Sequence, residues 1–245
     1  HNLLHHHNTN VEGIDDDLHS EPFLRMAPGQ KRRWYHRFQH LYIWVLYGFL
    51  PPKWQWWDDF RNVLKGKIGD HPIPRPRRFE LAWLLLGKAL FAGWVFVLPL
   101  VLHPVLNVLI VYAFVCLVTG ITLGTVFQMA HCVEEARFEP APATGATLPR
   151  PWAEHQLATT VDFAPRNPIL TWYLGGLNFQ VEHHLFPQIS HIHYPRIAPI
   201  VREVAARFGI DHLCHPTMRR ALRSHVRHMR FLGRSAVRSP QVDAA

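Results

Sequence analysis

Three cysteines in 245 residues, Cys116, Cys132 and Cys214, are too few and odd in number for a disulfide scaffold or a cysteine-based zinc site. The chain also lacks the charged, apolar and small-residue order of a signal peptide, and no internal repeat is visible. It opens on His1, inside a histidine motif, so it is expected to be a truncated sequence. Negative charge is scarce, with 18 Asp and Glu against 26 Lys and Arg and a net charge of +8. The bases flank apolar runs instead of forming an isolated patch, which points to a membrane surface and away from nucleic acid.

Two long segments lack charge almost entirely. Residues 81–103 carry one charge, Lys88, and residues 105–129 carry none. A helix needs about 20 apolar residues to cross the hydrocarbon core, so both are predicted to span it as a hairpin turning at His103 and Pro104. Lys88, near one end, is expected to snorkel to the headgroups. Residues 41–57, rich in Trp and Tyr, are interrupted by Pro51 and Pro52 and are read as an interfacial helix. Bases at 53–78 and 219–230 place both polar ends in the cytosol, since a hairpin returns the chain to the side it left.

What is abundant is histidine, 19 residues, much of it in tight clusters. The opening HNLLHHHNTN would, as a helix, stack His1 and His5 at spacing i, i+4 and turn His6 about 100° away, offering ligands to two adjacent metals. An expression tag would be an unbroken run. In GGLNFQVEHHLFP, Gln180, His183 and His184 share a helical face at i, i+3, i+4, and Gly175 with Gly176 permits close backbone approach. His131, in FQMAH at the end of the second apolar run, falls where the two clusters should converge.

Imidazole suits iron, copper, nickel and zinc alike. Six histidines, His1, His5, His6, His131, His183 and His184, are too many for one four-coordinate zinc and favour two metals. Paired Glu-x-x-His motifs of the ferritin kind are lacking. His191, His193 and Tyr194 are assigned packing or supporting roles, and His155, His212, His215, His225 and His228 solvated or interfacial ones. The Asp15 to Asp17 run reads as a solvated loop or helix cap.

These motifs resemble the membrane fatty acid desaturase family, in particular the front-end branch that includes delta-5 and delta-6 desaturases. HxxxHH matches His1, His5 and His6, and QxxHH matches Gln180, His183 and His184; TN after the second box, FQxAH and HxxYP extend the similarity along nearly the whole chain. The family's first histidine box would lie upstream of His1. The resemblance implies an all-α integral membrane protein, with a transmembrane hairpin and a cytosolic histidine-rich helical cap, in which residues 1–245 are a carboxy-terminal piece of the catalytic domain. It further implies two ferrous irons as cofactors, with dioxygen as co-substrate, held by His1, His5, His6, His131, Gln180, His183 and His184. No catalytic residue is expected beyond these ligands. Asn8, Asn10, Gln128 and Asn178 are expected to orient imidazoles. The partners implied are a fatty acyl substrate, membrane lipids and an electron donor, ferredoxin or a b-type cytochrome with its reductase. The activity implied is insertion of a cis double bond. A related lipid hydroxylase is the nearest alternative. A histidine-rich metal or heme transporter is another, but it would need ionisable groups within its membrane segments.

Overall fold

A computed structural model describes residues 5–68, 71–142 and 148–235. It is mostly helical and forms two compact units, Trp44–Gly124 and the combination of His1–Ile43 with Thr125–Ala245. Helix α1, Gln39–Gly48, crosses the first boundary, and α6, Val105–His131, the second.

In the Trp44–Gly124 unit, Pro51 does not break the helix but begins it. Helix α2, Leu50–Lys53, carries Pro51 and Pro52 in its first turn, where a missing N–H costs nothing. A π turn, Trp54–Asp58, leads to α3, Asp59–Lys65, which Gly66 ends at φ 63°. The expected interfacial helix is therefore several pieces, and they pack on the apolar hairpin: Trp56 Nε1 donates to Tyr112 Oη at 2.8 Å. The hairpin comprises Arg78–Leu102, built from α4, Arg78–Ala92, a π turn, Gly93–Val97, and α5, Leu98–Leu102, followed by α6. Both arms are long and apolar enough to cross a membrane, at 25 and 27 residues, and the turn falls at His103 and Pro104 as predicted. Trp83, Trp94, Val101 and Phe114 are exposed along them. Lys88 finds its partners in the chain before the hairpin. Its Nζ pairs with Asp59 Oδ2 at 2.5 Å and donates to the Gln55 carbonyl at 2.7 Å. Gly120 is required because any Cβ there would collide with the Tyr47 carbonyl.

The other unit assembles around the carboxyl end of α6. A helix leaves its last carbonyls without intrahelical partners, and here other segments supply them. Val161 N–H donates to Ala130 O at 2.9 Å, Asn10 Nδ2 to His131 O at 2.9 Å, and His225 Nδ1 to Cys132 O at 2.7 Å. Those donors come from the amino-terminal loop, the strand side and the last helix, so His131 is held at a junction. Around it lie α7, Trp152–Thr159, α8, Pro168–Tyr173, α9, Gln180–Leu185, α10, Tyr194–Arg207, and α11, Met218–Arg234. Strands β3, Asp162–Phe163, and β4, Cys214–His215, pair in parallel; β1, Lys67–Ile68, pairs with β2, His71–Pro72, antiparallel in the first unit. These two short ladders are the departures from an all-α expectation.

The basic tail is an amphipathic helix. In α11, Ala221, Ser224, His225, His228, Met229 and Leu232 are buried, while Arg219, Arg220, Arg223, Arg227 and Arg230 are exposed. His225 and His228, assigned above to solvent or an interface, are therefore core residues, as are His155 and His215.

Candidate metal centre

The opening cluster is not a helix over its described residues. Residues 5–10 form successive turns, and His1 lies outside the described residues. The turns still bring His5 and His6 inward, each almost fully buried, and leave His7 exposed. Helix α9 presents Gln180, His183 and His184 as the spacing predicts. Gly176, at φ 77°, precedes it in a conformation only glycine adopts freely, and an added Cβ would press on His191 at 2.8 Å.

Five imidazoles meet as a result. His5, His131 and His184 have ring centroids 4.8 to 5.1 Å apart, and each offers a nitrogen within 4.8 Å of the others. A second group forms beside it: His6 lies 4.7 Å from His183 and stacks on His184 at 4.3 Å. His184 belongs to both. A cavity of about 20 Å³, the size of a water molecule or an ion, is lined by His5, His131, His183 and His184 together with Gln128 and Gln180.

Oxygen acceptors behind the rings fix which nitrogen faces inward. His5 Nδ1 donates to Asp15, whose carboxylate oxygens lie at 3.0 and 3.1 Å, with Asp17 Oδ2 at 3.3 Å. His184 Nδ1 donates to Gln156 Oε1 at 2.9 Å, and Thr9 Oγ1 is 3.1 Å away. The Thr159 carbonyl stands 3.4 Å from His131 Nδ1, and Tyr194 Oη 3.5 Å from His183 Nδ1. With the protons held on Nδ1 of His5 and His184, their Nε2 lone pairs are left for a ligand.

Electrostatics favour the neutral, ligating form. Burial holds His184 well below the usual histidine range, with the facing His131 and His5 adding to it. Burial, then the charges of His183 and His5, take His6 down to about 3, and His183 is lowered by burial and by His5. His5 is the exception. Burial works to lower it, but the Asp15 hydrogen bond and the charges of Asp15 and Asp17 outweigh burial and raise it.

The supporting residues differ from those expected. Asp15 takes the expected cap role, accepting from Asp17 N at 3.1 Å, but is fully buried instead of solvated, and also accepts from Asn10 N at 2.8 Å. Asn10 does orient the site, but through main-chain oxygens of His131 and Arg137, not through an imidazole. Asn8 N donates to the His5 carbonyl at 3.1 Å. Gln128 Oε1 is buried without a hydrogen-bond partner among the described residues, and Gln128 lines the cavity. Asn178 bonds Thr171 Oγ1 at 3.1 Å and reaches no imidazole nitrogen by any described hydrogen bond. Gln180 Nε2 donates to Leu177 O at 2.9 Å, which leaves Oε1 as its ligand-capable atom. The roles of Thr9 and Gln156 were missed: Thr9 Oγ1 lies 2.8 Å from His5 O and 3.0 Å from Gln156 Oε1, so one hydroxyl ties the two clusters together. His212, taken above as solvated, packs its ring against Glu182 Oε1 at 3.0 Å and Asp162 Oδ2 at 3.5 Å. Asp162 Oδ1 in turn accepts from Val181 N at 3.0 Å and so pins the first turn of α9. Burial, with Glu182 beside it, raises Asp162 well above the carboxylate range.

A family profile described as fatty acid desaturase matches residues 1–216. Among curated proteins, the sn-1 linoleoyl-lipid 6-desaturase of Arthrospira platensis is 42% identical over 91% of this chain and 60% of its own length. The sn-1 linoleoyl-lipid 6-desaturase of Synechocystis sp. is 40% identical, over 96% of this chain and 66% of its own. The acyl-lipid (8-3)-desaturase of Physcomitrium patens is also 40% identical, over 95% and 49%. The chain thus spans about half to two thirds of the length of these relatives. No solved structure gives a significant match.

Proposed function

This chain belongs to the fatty acid desaturase family, and on that premise we propose that it forms the histidine-box portion of an oxygen-dependent desaturase acting on an acyl chain carried by a membrane lipid. The observation that carries the reading is the convergence of five imidazoles in two groups joined at His184.

The residues fit a pair of irons. Neutral imidazoles with Nε2 turned inward are suitable ligands, and a donor set without thiolate suits iron better than a soft metal. His5, His131 and His184 would hold one iron, and His6 and His183 the other, with Gln180 Oε1 within the same wall. His1 and a first box preceding it would complete the set. Bound there, two irons would supply the power to remove two hydrogens from adjacent methylenes, and those two hydrogens together with two external electrons and two protons would take dioxygen to two waters.

This chain's own residues supply geometry and dryness. Asp15, Gln156 and Thr9 hold the rings in one tautomer and orientation, and the near-complete burial of His5, His6 and His184 keeps bulk water away from them. The relatives' names specify acyl-lipid substrates, which favours an esterified chain over a free acid here. The electrons would come from ferredoxin or a b-type cytochrome. The exposed, uncharged surfaces of the hairpin support membrane insertion, since apolar area on that scale is a liability in water.

Lipid profiling after expression of the full-length protein tests the assignment. A new cis alkene in esterified acyl chains is expected, lost in His184→Ala while the variant remains in the membrane fraction. An alcohol product would contradict desaturation in favour of hydroxylation.

A further inference from the structure

A cleft of about 430 Å³ opens between α8 and the turn His191–His193, away from the metal centre's own cavity. Arg166, Thr171, Trp172, His191 and Ile192 line it. We propose that this cleft binds the anionic phosphate headgroup of a membrane phospholipid.

Charge makes the first part of the case. Arg166 is exposed and has no ion pair or hydrogen bond to any described residue, and no carboxylate lines the cleft. An unopposed guanidinium beside an imidazole is a donor pair that phosphate oxygens take. Depth makes the second. Leu170 of α8 and Leu174 just after it pack on a buried cluster that includes Val126 and Met129, which lie in the last two turns of the apolar helix α6. Helix α8 is thereby tied to the cluster at the carboxyl end of that apolar run. The other side of α8 carries Ile169, Trp172 and Tyr173, exposed by 76%, 82% and 67%. Trp and Tyr with a basic neighbour are the composition that settles at the headgroup layer. The far wall leads back to the site: Tyr194, three residues beyond His191, places its hydroxyl 3.5 Å from His183 Nδ1. The inference rests on the membrane reading above.

Native mass spectrometry of the full-length protein, released from mixed micelles of phosphatidylglycerol and phosphatidylcholine, tests it. The wild type should retain phosphatidylglycerol in preference. Arg166→Ala should reduce that preference about fivefold, as expected for one basic residue at an anionic surface, whereas Arg166→Lys should keep most of it and Arg223→Ala, on the exposed face of α11, should keep all of it. Added inorganic phosphate or coenzyme A in excess should not displace the lipid. An unchanged preference in Arg166→Ala, or displacement by either soluble phosphate compound, would overturn the headgroup site while leaving the membrane reading intact. Recovery of the protein in the soluble fraction without detergent would overturn the membrane reading itself, and the headgroup site with it.

Discussion

At the scale of single residues, His5 shows how the site is tuned. Its ring is buried, which opposes charge, yet Asp15 behind Nδ1 raises its basicity and so the donor strength of Nε2. Asp15→Asn keeps a hydrogen-bond acceptor but removes the charge. Iron affinity of the full-length protein, measured by chelator competition, should then fall by about 10- to 100-fold, and unchanged affinity would mean that the carboxylate only fills space. In the same assay Gln180→Ile, matched in bulk but unable to ligate, should lower iron retention and Gln180→His should preserve it. The ligand candidates were legible in the sequence because histidine clusters rarely have another use. Asp15 was legible as a helix cap but not as the buried partner of His5, since an acidic run reads as solvated until a buried imidazole is found facing it. Thr9 entered only within the TN that follows the second box, and Gln156 not at all, because the two meet across 147 positions and nothing local marks their contact.

At the scale of elements, α11 and α9 were legible to different degrees. Helix α9 followed from spacing. The spacing of the opening cluster was read for the case of a helix, but its described residues form turns dictated by contacts that spacing does not encode, such as Asn10 at φ 56° and its bonds to α6. Helix α11 was read as a basic tail because its arginines dominate the composition, although its apolar and histidine face recurs at helical intervals. That face carries a pH dependence. Burial, offset only partly by the Cys132 carbonyl, lowers His225 to about 4, and burial with the charge of His225 lowers His228 to about 3. The folded-state values lie below the unfolded one, so between them the unfolded chain binds more protons. Stability is complete above the ordinary histidine value and is lost as pH falls from there towards 4, by up to about 1.4 kcal/mol per pH unit for each group. The apparent melting temperature in detergent should therefore drop between pH 7 and pH 5 (about the range where histidine titrates), and His228→Phe, which can stack on Phe138 as His228 does, should flatten that slope. An equally steep slope in the variant would exclude His228 as a source.

At the scale of the whole molecule, the hairpin was the most legible feature, because length and the absence of charge are physical requirements of the bilayer. Its ends moved by only a few residues, to Arg78–Leu102 and Val105–His131. The packing of residues 54–58 on it was not legible, since a proline pair and a tryptophan cluster suit an interface and a helix junction equally well. The basic flanks support a topology in which the chain before and after the hairpin faces the cytosol. Cysteines introduced at Lys65 and Arg223 should both react with an impermeant reagent only from that side, and labelling from opposite sides would refute a two-crossing hairpin.

The central claim is that the clustered histidines hold two irons, and the metal content of the purified full-length protein tests it most directly. Elemental analysis should find two irons per chain in the wild type and no more than one in His184→Ala, because that ring stands in both imidazole groups. A single stoichiometric zinc in the wild type, or two irons retained in His184→Ala, would contradict the account.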